Sequence, residues 1–228
     1  MTPDETIVFL IDVDNTLLDN DRIRDDMQAF LQREFGAAGE RYWAIQERLF
    51  GELGYRDYLG ALQVHRDECP GDDPLFSMSS YLLDYPFTDR LYPGALDLLR
   101  QLGESGPTVI LSDGDVVFQP RKIERSGLAA AVTGRYLIYV HKEQELADVE
   151  RRYPADHYVL VDDKPRILAA AKQFWGARVT TVLPRQGQFA HDPSVLAAFP
   201  AADVTVERVG DLLAFDLPDW RRYASLAA

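Results

Sequence analysis

Two carboxylates placed two residues apart follow an apolar segment near the start of the chain. The residues from Ile7 to Ile11 are all apolar, and Asp12 and Asp14 come directly after them. Successive side chains of an extended segment alternate between faces, so both carboxylates can point into one pocket. Like charges at that distance repel unless a cation or a proton intervenes. Mg²⁺ suits such a site, because it binds through one or two carboxylates and leaves positions for water and phosphate oxygens.

Three further apolar segments also end in polar residues. These are 109–111, followed by Ser112, Asp113 and Gly114; 136–140, followed by His141 and Lys142; and 158–161, followed by Asp162 and Asp163. Open α/β sheets collect their ligands at the carboxyl ends of the strands, so we expect these clusters to share one edge with Asp12 and Asp14. Taken singly, each cluster also has a plainer interpretation as a polar turn or a helix cap.

The spacing of the apolar residues predicts an α/β fold with a helical insertion. The region 22–50 has the three- and four-residue periodicity of two amphipathic helices, and further helices are predicted at 55–65 and 76–83. From residue 95 onward, strands and helices alternate. The predicted helices there are 95–104, 119–126, 143–153, 165–175 and 210–215, and the predicted strands are 108–111, 136–140, 158–161, 178–183 and 204–206.

This pattern predicts a mostly parallel sheet with helices on both faces. Residues 1–19 and 90–228 would form one core around this sheet, and residues 20–89 would form a small all-helical cap inserted after the first strand. A cap placed over the polar edge could exclude water and select substrates.

Composition narrows the classes of function. At 228 residues and 46% hydrophobic, the chain can bury a core large enough for one α/β domain with an insertion. A net charge of -13 argues against binding to nucleic acid or to an anionic membrane. The sequence has neither a bilayer-spanning apolar segment nor the basic start of a secretion signal, so we expect a cytoplasmic protein.

The four polar clusters, in this order and with the insertion after the first, resemble those of the haloacid dehalogenase superfamily with a C1-type helical cap. The matching residues are Asp12-Val13-Asp14-Asn15-Thr16 for the family's DxDx(T/V) first motif, Ser112 for motif two, Lys142 for motif three, and Asp162-Asp163 for motif four. The resemblance covers nearly the whole chain. Its most specific part is the first motif, and the other three gain weight from their order.

The resemblance implies a Mg²⁺-dependent phosphatase that acts on a small phosphorylated metabolite. Asp12 would be the nucleophile and form an aspartyl-phosphate, while Asp14 would act first as general acid and then as general base. Lys142 would contact both Asp12 and the phosphate. The implied metal ligands are Asp12, Asp14 through its backbone carbonyl, Asp163 and Asp162, and the implied phosphate-binding residues are Thr16, Ser112, Asp113, Gly114 and Lys142.

Two assignments within these motifs have rivals. Lys122, in the helix after the second cluster, competes with Lys142 for the third motif, although its charged neighbours favour a solvated surface position. In the fourth motif, Asp163 is the better direct metal ligand and Asp162 is the alternative. The chain also departs from the family pattern, because Ile167 stands where many relatives carry a further acidic residue.

Four other functions remain as alternatives. A phosphomutase would share the site, and a dehalogenase is disfavoured because such relatives usually lack the acid found here at Asp14. A phosphate-responsive switch resembling a receiver domain would also use an acidic Mg²⁺ site, but it would lack the large insertion. A catalytically inactive binding protein is disfavoured by the intact Asp12 and Asp14. The motifs specify neither the phosphate ester nor the oligomeric state.

Overall fold

Six parallel strands form a single sheet at the centre of the protein. The computed structural model describes residues 6–71, 75–216 and 219–220, so parts of the predicted core at 1–5, 217–218 and 221–228, and of the predicted cap at 72–74, lie outside the described residues. The strands are β1 (Ile7–Ile11), β2 (Thr108–Asp113), β3 (Tyr136–Tyr139), β4 (His157–Val161), β5 (Val179–Pro184) and β6 (Val204–Val206). Their order is β3-β2-β1-β4-β5-β6, and each neighbouring pair is parallel.

The central strand β1 is buried along its whole length, as expected for a parallel strand covered on both faces. Its side chains alternate between two hydrophobic clusters. Phe9 and Ile11 pack into the cluster that also holds the insertion, whereas Val8 and Leu10 pack into the cluster on the other face. The predicted α/β fold with helices on both faces is therefore confirmed.

Four helices directly follow β1 in sequence. They are α1 (Asn20–Phe35), α2 (Ala37–Leu53), α3 (Tyr58–Glu68) and α4 (Leu75–Asp84), and a 3₁₀ turn follows at Phe87–Arg90. Asp19 caps α1 by accepting from the Arg22 amide, and Asp57 caps α3 by accepting from the Gly60 amide. The sequence predicted that this helix begins at residue 55. The Asp57 cap explains why α3 begins at Tyr58 instead.

The two chain segments that join the helical insertion to the sheet run beside each other. Leu18 and Leu91 form an antiparallel bridge between them. Asp26 of α1 accepts a hydrogen bond from the Tyr85 hydroxyl at 2.6 Å and pairs with the Arg90 guanidinium at 2.6 Å. The beginning of the insertion is thereby tied to its return segment.

The remaining helices surround the sheet. They are α5 (Ala95–Ser105), α6 (Phe118–Arg125), α7 (Leu128–Ala131), α8 (Leu146–Arg152), α9 (Pro165–Trp175) and α10 (Pro193–Ala198), with 3₁₀ turns at Lys142–Gln144, Gly176–Arg178 and Val209–Ala214. Within the described residues, no helix has the length and apolarity needed to cross a membrane.

Three details differ from the sequence prediction. The helix predicted at 143–153 is a 3₁₀ turn followed by α8, because the Lys142 amide is held by Asp113 and the Glu145 amide closes a tight turn onto the Lys142 carbonyl. The helix predicted at 210–215 is a 3₁₀ turn over 209–214. The short helices α7 and α10 were not predicted, since four and six residues give too little periodicity to recognise.

Candidate active site

The sheet order brings three of the polar clusters to adjacent strand ends. β1 lies between β2 and β4, with Ile11 in register with Ile110 and with Val161. Asp12 therefore lies between the loop that follows β2 and the loop that follows β4. The remaining cluster, which contains Lys142, follows β3, and β3 pairs with β2 on its other side.

Three buried carboxylates meet where these loops converge. Oxygen atoms of Asp12, Asp162 and Asp163 lie within 4.8 Å of one another, and each of the three residues is at most 1% exposed. One oxygen of Asp12, one of Asp162 and both of Asp163 accept no hydrogen bond among the residues that the structure describes, although that Asp162 oxygen lies 2.6 Å from the Lys142 ammonium. Unpaired buried carboxylate oxygens are costly, so this geometry is typical of a site that receives a cation.

Lys142 supplies the main positive charge inside this acidic cluster. Its ammonium contacts Asp12, lies 2.6 Å from an oxygen of Asp162, and donates to the Leu111 carbonyl at 3.1 Å. Lys142 is fully buried, so its interactions with Asp12 and Asp162 are poorly screened. The structure thus brings Lys142, the preferred lysine of the sequence prediction, against Asp12.

Lys122 is also buried, which contradicts the expectation of a solvated surface lysine. Its side chain is 2% exposed, and its ammonium lies 2.7 Å from Asp14 Oδ1 and 3.0 Å from Asn20 Oδ1. The prediction was wrong because the charged neighbours of Lys122 suggested an exposed helix face. In the folded protein, that face of α6 is covered by the loop that follows β1.

Electrostatics in the cluster are governed by burial and by two lysines. Burial raises the pKa of Asp12 above its ordinary value, although Lys142 acts in the opposite direction. Burial likewise raises the pKa of Asp163, against the effect of Lys164. For Lys142, burial favours the neutral form, but the neighbouring Asp12 and Asp162 outweigh it and the net pKa is raised. A divalent cation beside Asp12 and Asp163 would favour their ionised forms.

Asp113 reinforces the position of Lys142 instead of facing outward. Its carboxylate accepts from the Lys142 backbone amide at 2.8 Å and lies 3.5 Å from the Lys164 ammonium. Burial alone would raise the pKa of Asp113, but Lys142, Lys164 and that backbone amide lower it overall. With its side chain occupied in this way, Asp113 could contribute only backbone atoms to a phosphate site.

Ser112 and Asp14 are linked by Gln119, a residue that the sequence analysis missed. The Gln119 amide nitrogen donates to the Ser112 hydroxyl at 2.9 Å and lies 3.5 Å from Asp14 Oδ2. Gly114 makes room for it, because a Cβ at that position would lie 2.7 Å from the Gln119 side chain. The Gly114 amide itself donates to the Tyr139 carbonyl, so its N–H group is occupied within the fold.

The loop that follows β1 is held from the β5 side by Gln186, a second residue that was not predicted. The Gln186 amide nitrogen donates to the carbonyls of Asn15 and Thr16 at 3.3 and 3.1 Å. Asn15 adopts a positive φ of 62°, an uncommon conformation that such contacts help to maintain. The Thr16 hydroxyl accepts from the Asp163 amide at 3.1 Å. Thr16 therefore connects the first and fourth clusters and is fully buried in doing so.

The sheet is parallel, buried acidic and basic side chains lie at the carboxyl ends of its central strands, and helices are inserted after its first strand. This is the arrangement of a Rossmann-like fold with its functional site at the strand ends. The sequence model of the haloacid dehalogenase-like hydrolase family matches residues 8–174. The chain belongs to this family, which confirms the resemblance seen in its motifs. No curated protein sequence matches the chain.

Solved structures agree with this assignment. A haloacid dehalogenase-like hydrolase of Burkholderia xenovorans LB400 is 62% identical to this chain. The two structures have a TM-score of 0.89, and the match covers 95% of this chain and 99% of that chain. The HAD-hydrolase YfnB of Bacillus subtilis, bound to magnesium, is 16% identical, with a TM-score of 0.60 over 92% and 97% of the two chains. L-2-haloacid dehalogenase of Xanthobacter autotrophicus, with chloropropionic acid covalently bound, is 17% identical, with a TM-score of 0.58 over 90% and 96%. The last two likenesses concern the fold alone.

The buried lysine makes a prediction about stability. We expect Lys142→Met to lower the free energy of unfolding at pH 8 by about 3–5 kcal/mol, because it leaves Asp12 and Asp162 buried without their cation. Lys172→Met is the matched control, since Lys172 pairs with Asp203 at a partly exposed position and should cost less than about 1 kcal/mol. Urea denaturation in the absence of divalent cations measures both values. A Lys142→Met protein as stable as the control would contradict this account of the cluster.

Proposed function

We propose that the protein is a Mg²⁺-dependent phosphatase that hydrolyses a small phosphorylated metabolite through an aspartyl-phosphate at Asp12. The observation that carries this proposal is the difference in burial and contacts between Asp12 and Asp14. Asp12 is buried beside Lys142 with one oxygen unpartnered among the described residues, whereas Asp14 faces the partly open rim with its side chain 24% exposed. A buried nucleophile and a separate acid two residues later fit the departure of an oxygen leaving group.

The residues of the cluster fit magnesium. Asp12 and Asp163 offer unpartnered buried oxygens within the described part of the chain, and Asp162 is engaged by Lys142 and by the Lys164 amide. We therefore assign Asp12 and Asp163 as the carboxylate ligands and Asp162 as the residue that fixes Lys142. Carboxylate oxygens are the donors that Mg²⁺ prefers. When bound, the ion would neutralise negative charge on the phosphate and polarise the phosphoryl group.

The chemistry divides into two displacements. In the first, a carboxylate oxygen of Asp12 attacks phosphorus, the bond from phosphorus to the leaving oxygen breaks, and Asp14 gives its proton to that oxygen. In the second, Asp14 takes a proton from water, the water oxygen attacks phosphorus, and the bond to Asp12 breaks to release inorganic phosphate. The first displacement leaves Asp14 as a carboxylate, which is the base that the second requires. The second displacement restores the protonated acid for the next turnover.

Lys142 and Ser112 are the residues we assign to the phosphate oxygens. Lys142 already contacts Asp12, so its ammonium can bind a phosphate oxygen beside the nucleophile. The Ser112 oxygen accepts from Gln119, and its proton makes only a 3.3 Å bond to the Asp113 carbonyl. That proton can therefore turn toward a phosphate oxygen.

Activity measurements on a single substitution test the nucleophile. Asp12→Asn should lower kcat for phosphomonoesters by at least about 10³-fold, since an amide cannot form the phosphoenzyme. Asp97→Asn is the matched control, because Asp97 is an exposed partner of Arg100 on α5, and we expect it to retain parental activity. Phosphate release is followed with sugar phosphates, nucleotides and phosphoglycolate, with Mg²⁺ and after chelation. The parent protein should lose activity on chelation and regain it when Mg²⁺ is added.

Three results would contradict the assigned nucleophile or favour one of the alternative functions. Turnover by a folded Asp12→Asn protein at the parental rate would exclude Asp12 as nucleophile. Halide release from haloacids without phosphate release from any ester would favour the dehalogenase alternative. Transfer of phosphate to a second sugar hydroxyl, instead of to water, would identify a phosphomutase.

A cleft between the helical insertion and the loop after β2 is our candidate for the leaving-group pocket. It has a volume of about 370 Å³, and its lining includes Tyr55, Asp57 and Gln63 from the insertion and Gly114, Asp115 and Val117 from the core. Both acidic residues of this lining also act as helix caps, Asp57 for α3 and Asp115 for the first amides of α6. The lining contains two carboxylates and no basic side chain among the described residues, which disfavours a leaving group that carries negative charge.

Three esters of similar size test the charge preference of this cleft. We expect kcat/KM to decrease from phosphoethanolamine through ethyl phosphate to phosphoglycolate, because the leaving groups are cationic, neutral and anionic in that order. Asp57→Asn with Asp115→Asn should flatten this order while keeping both helices capped, since Asn caps as well as Asp. A parental preference for phosphoglycolate would contradict the assignment of the cleft.

A further inference from the structure

Lys122 contacts Asp14, although no step of the proposed chemistry involves Lys122. Its ammonium lies 2.7 Å from Asp14 Oδ1, and the Gln119 amide nitrogen lies 3.5 Å from the other oxygen of the same carboxylate. Gln119 and Lys122 are three residues apart on α6 and therefore share one helix face. Both oxygens of Asp14 are thus approached from a single helix.

The helix that carries these two residues is itself firmly placed. The Asp115 carboxylate accepts from the Val117 and Phe118 amides at the beginning of α6, at 2.8 and 2.7 Å. The Phe118 ring packs against Tyr58 of α3 at 4.6 Å and against Phe87 at 5.9 Å between centroids. α6 is therefore attached at its beginning by the Asp115 cap and by the packing of Phe118, and Asp14 contacts a helix that is fixed in this way.

Lys122 also contacts the beginning of the helical insertion. The same ammonium donates to Asn20 Oδ1 at 3.0 Å, and Asn20 is the first residue of α1. A displacement of α1 would change this contact and, through Lys122, the orientation of the Asp14 carboxylate. The side chain of Lys122 is 2% exposed, so water cannot readily replace either partner.

We propose that Lys122 is a positioning residue that holds the Asp14 carboxyl in the orientation for proton transfer to the leaving oxygen and links that orientation to the placement of α1. The proposal rests on the phosphatase function proposed above. When Asp12 attacks and the bond to the leaving oxygen breaks, the Asp14 proton moves to that oxygen and leaves a carboxylate. The Lys122 ammonium is already in place to stabilise the carboxylate that forms.

Aryl phosphates with different leaving groups test this role, because only poor leaving groups require the proton. We expect Lys122→Met to lower kcat/KM for phenyl phosphate by about 10- to 100-fold and for dinitrophenyl phosphate by less than about threefold. Asp14→Asn should show the same dependence on the leaving group. In the Asp14→Asn background, Lys122→Met should add less than about twofold, since the two residues act as one unit.

Three further variants separate positioning from a general effect on the fold. Lys122→Arg should recover part of the phenyl phosphate activity, because it retains the charge. Asn20→Ala preserves the contact between Lys122 and Asp14 while removing the link to α1, and it should cause a smaller loss with the same leaving-group dependence. Lys172→Met, the control at a partly exposed ion pair far from these residues in sequence, should leave the ratio between the two substrates unchanged.

Two outcomes would overturn the proposal, and they are distinguishable. If the parent enzyme hydrolyses the aryl phosphates but Lys122→Met and Asn20→Ala reduce kcat/KM equally for both substrates, Lys122 has no positioning role and the phosphatase function stands. If the parent enzyme hydrolyses none of the esters in the presence of Mg²⁺, the phosphatase function fails and the role of Lys122 fails with it.

Discussion

The contact between the Lys142 ammonium and the carboxylates of Asp12 and Asp162 is the interaction on which the site depends. Three acidic side chains could not be brought together in the interior without a compensating charge, because burial penalises each carboxylate and their mutual repulsion adds to that penalty. Lys142 compensates Asp12 and Asp162, and the Lys164 side chain adds charge nearby. The oxygens that accept no hydrogen bond among the described residues include one of Asp12 and both of Asp163, the pair of carboxylates that we assign to the metal.

The sheet topology explains how so many charges converge. Parallel pairing places the ends of β1, β2 and β4 side by side, with β1, the strand that precedes Asp12, between the other two. The loops are then connected to one another by hydrogen bonds of polar side chains outside the group of Asp12, Asp162, Asp163 and Lys142. Thr16 connects the first loop to Asp163, Gln186 connects it to the β5 side, and Asp113 fixes the backbone of Lys142.

The sequence was sufficient to predict the elements that recur as local patterns. Each strand of the central sheet appears as an apolar run followed by polar residues, and this pattern allowed the four clusters to be recognised before their positions in space were known. The division into a core at 1–19 and 90–228 and a cap at 20–89 stays a prediction, although helices α1 to α4 occupy most of the second range. The roles assigned to the individual site residues also remain predictions.

The residues that sequence reasoning missed or wrongly predicted to be exposed are single polar side chains whose roles arise from tertiary packing. Gln119 and Lys122 lie in a short helix whose charged composition suggests a solvated surface, and only the packing of Phe118 against Tyr58 and Phe87 shows which face is buried. Gln186 follows an apolar strand but acts on a loop 170 residues earlier in the chain. No local pattern carries that information, because it depends on which strands become neighbours.

A crystal structure of the protein with Mn²⁺ and beryllofluoride would test the central claim most directly, since manganese can be located by anomalous scattering and beryllofluoride imitates a phosphoryl group on aspartate. We predict one manganese ion bound by Asp12 and Asp163, with beryllofluoride joined to Asp12 and within hydrogen-bond distance of Lys142. An ion bound away from these two carboxylates, or beryllofluoride on a residue other than Asp12, would contradict the account.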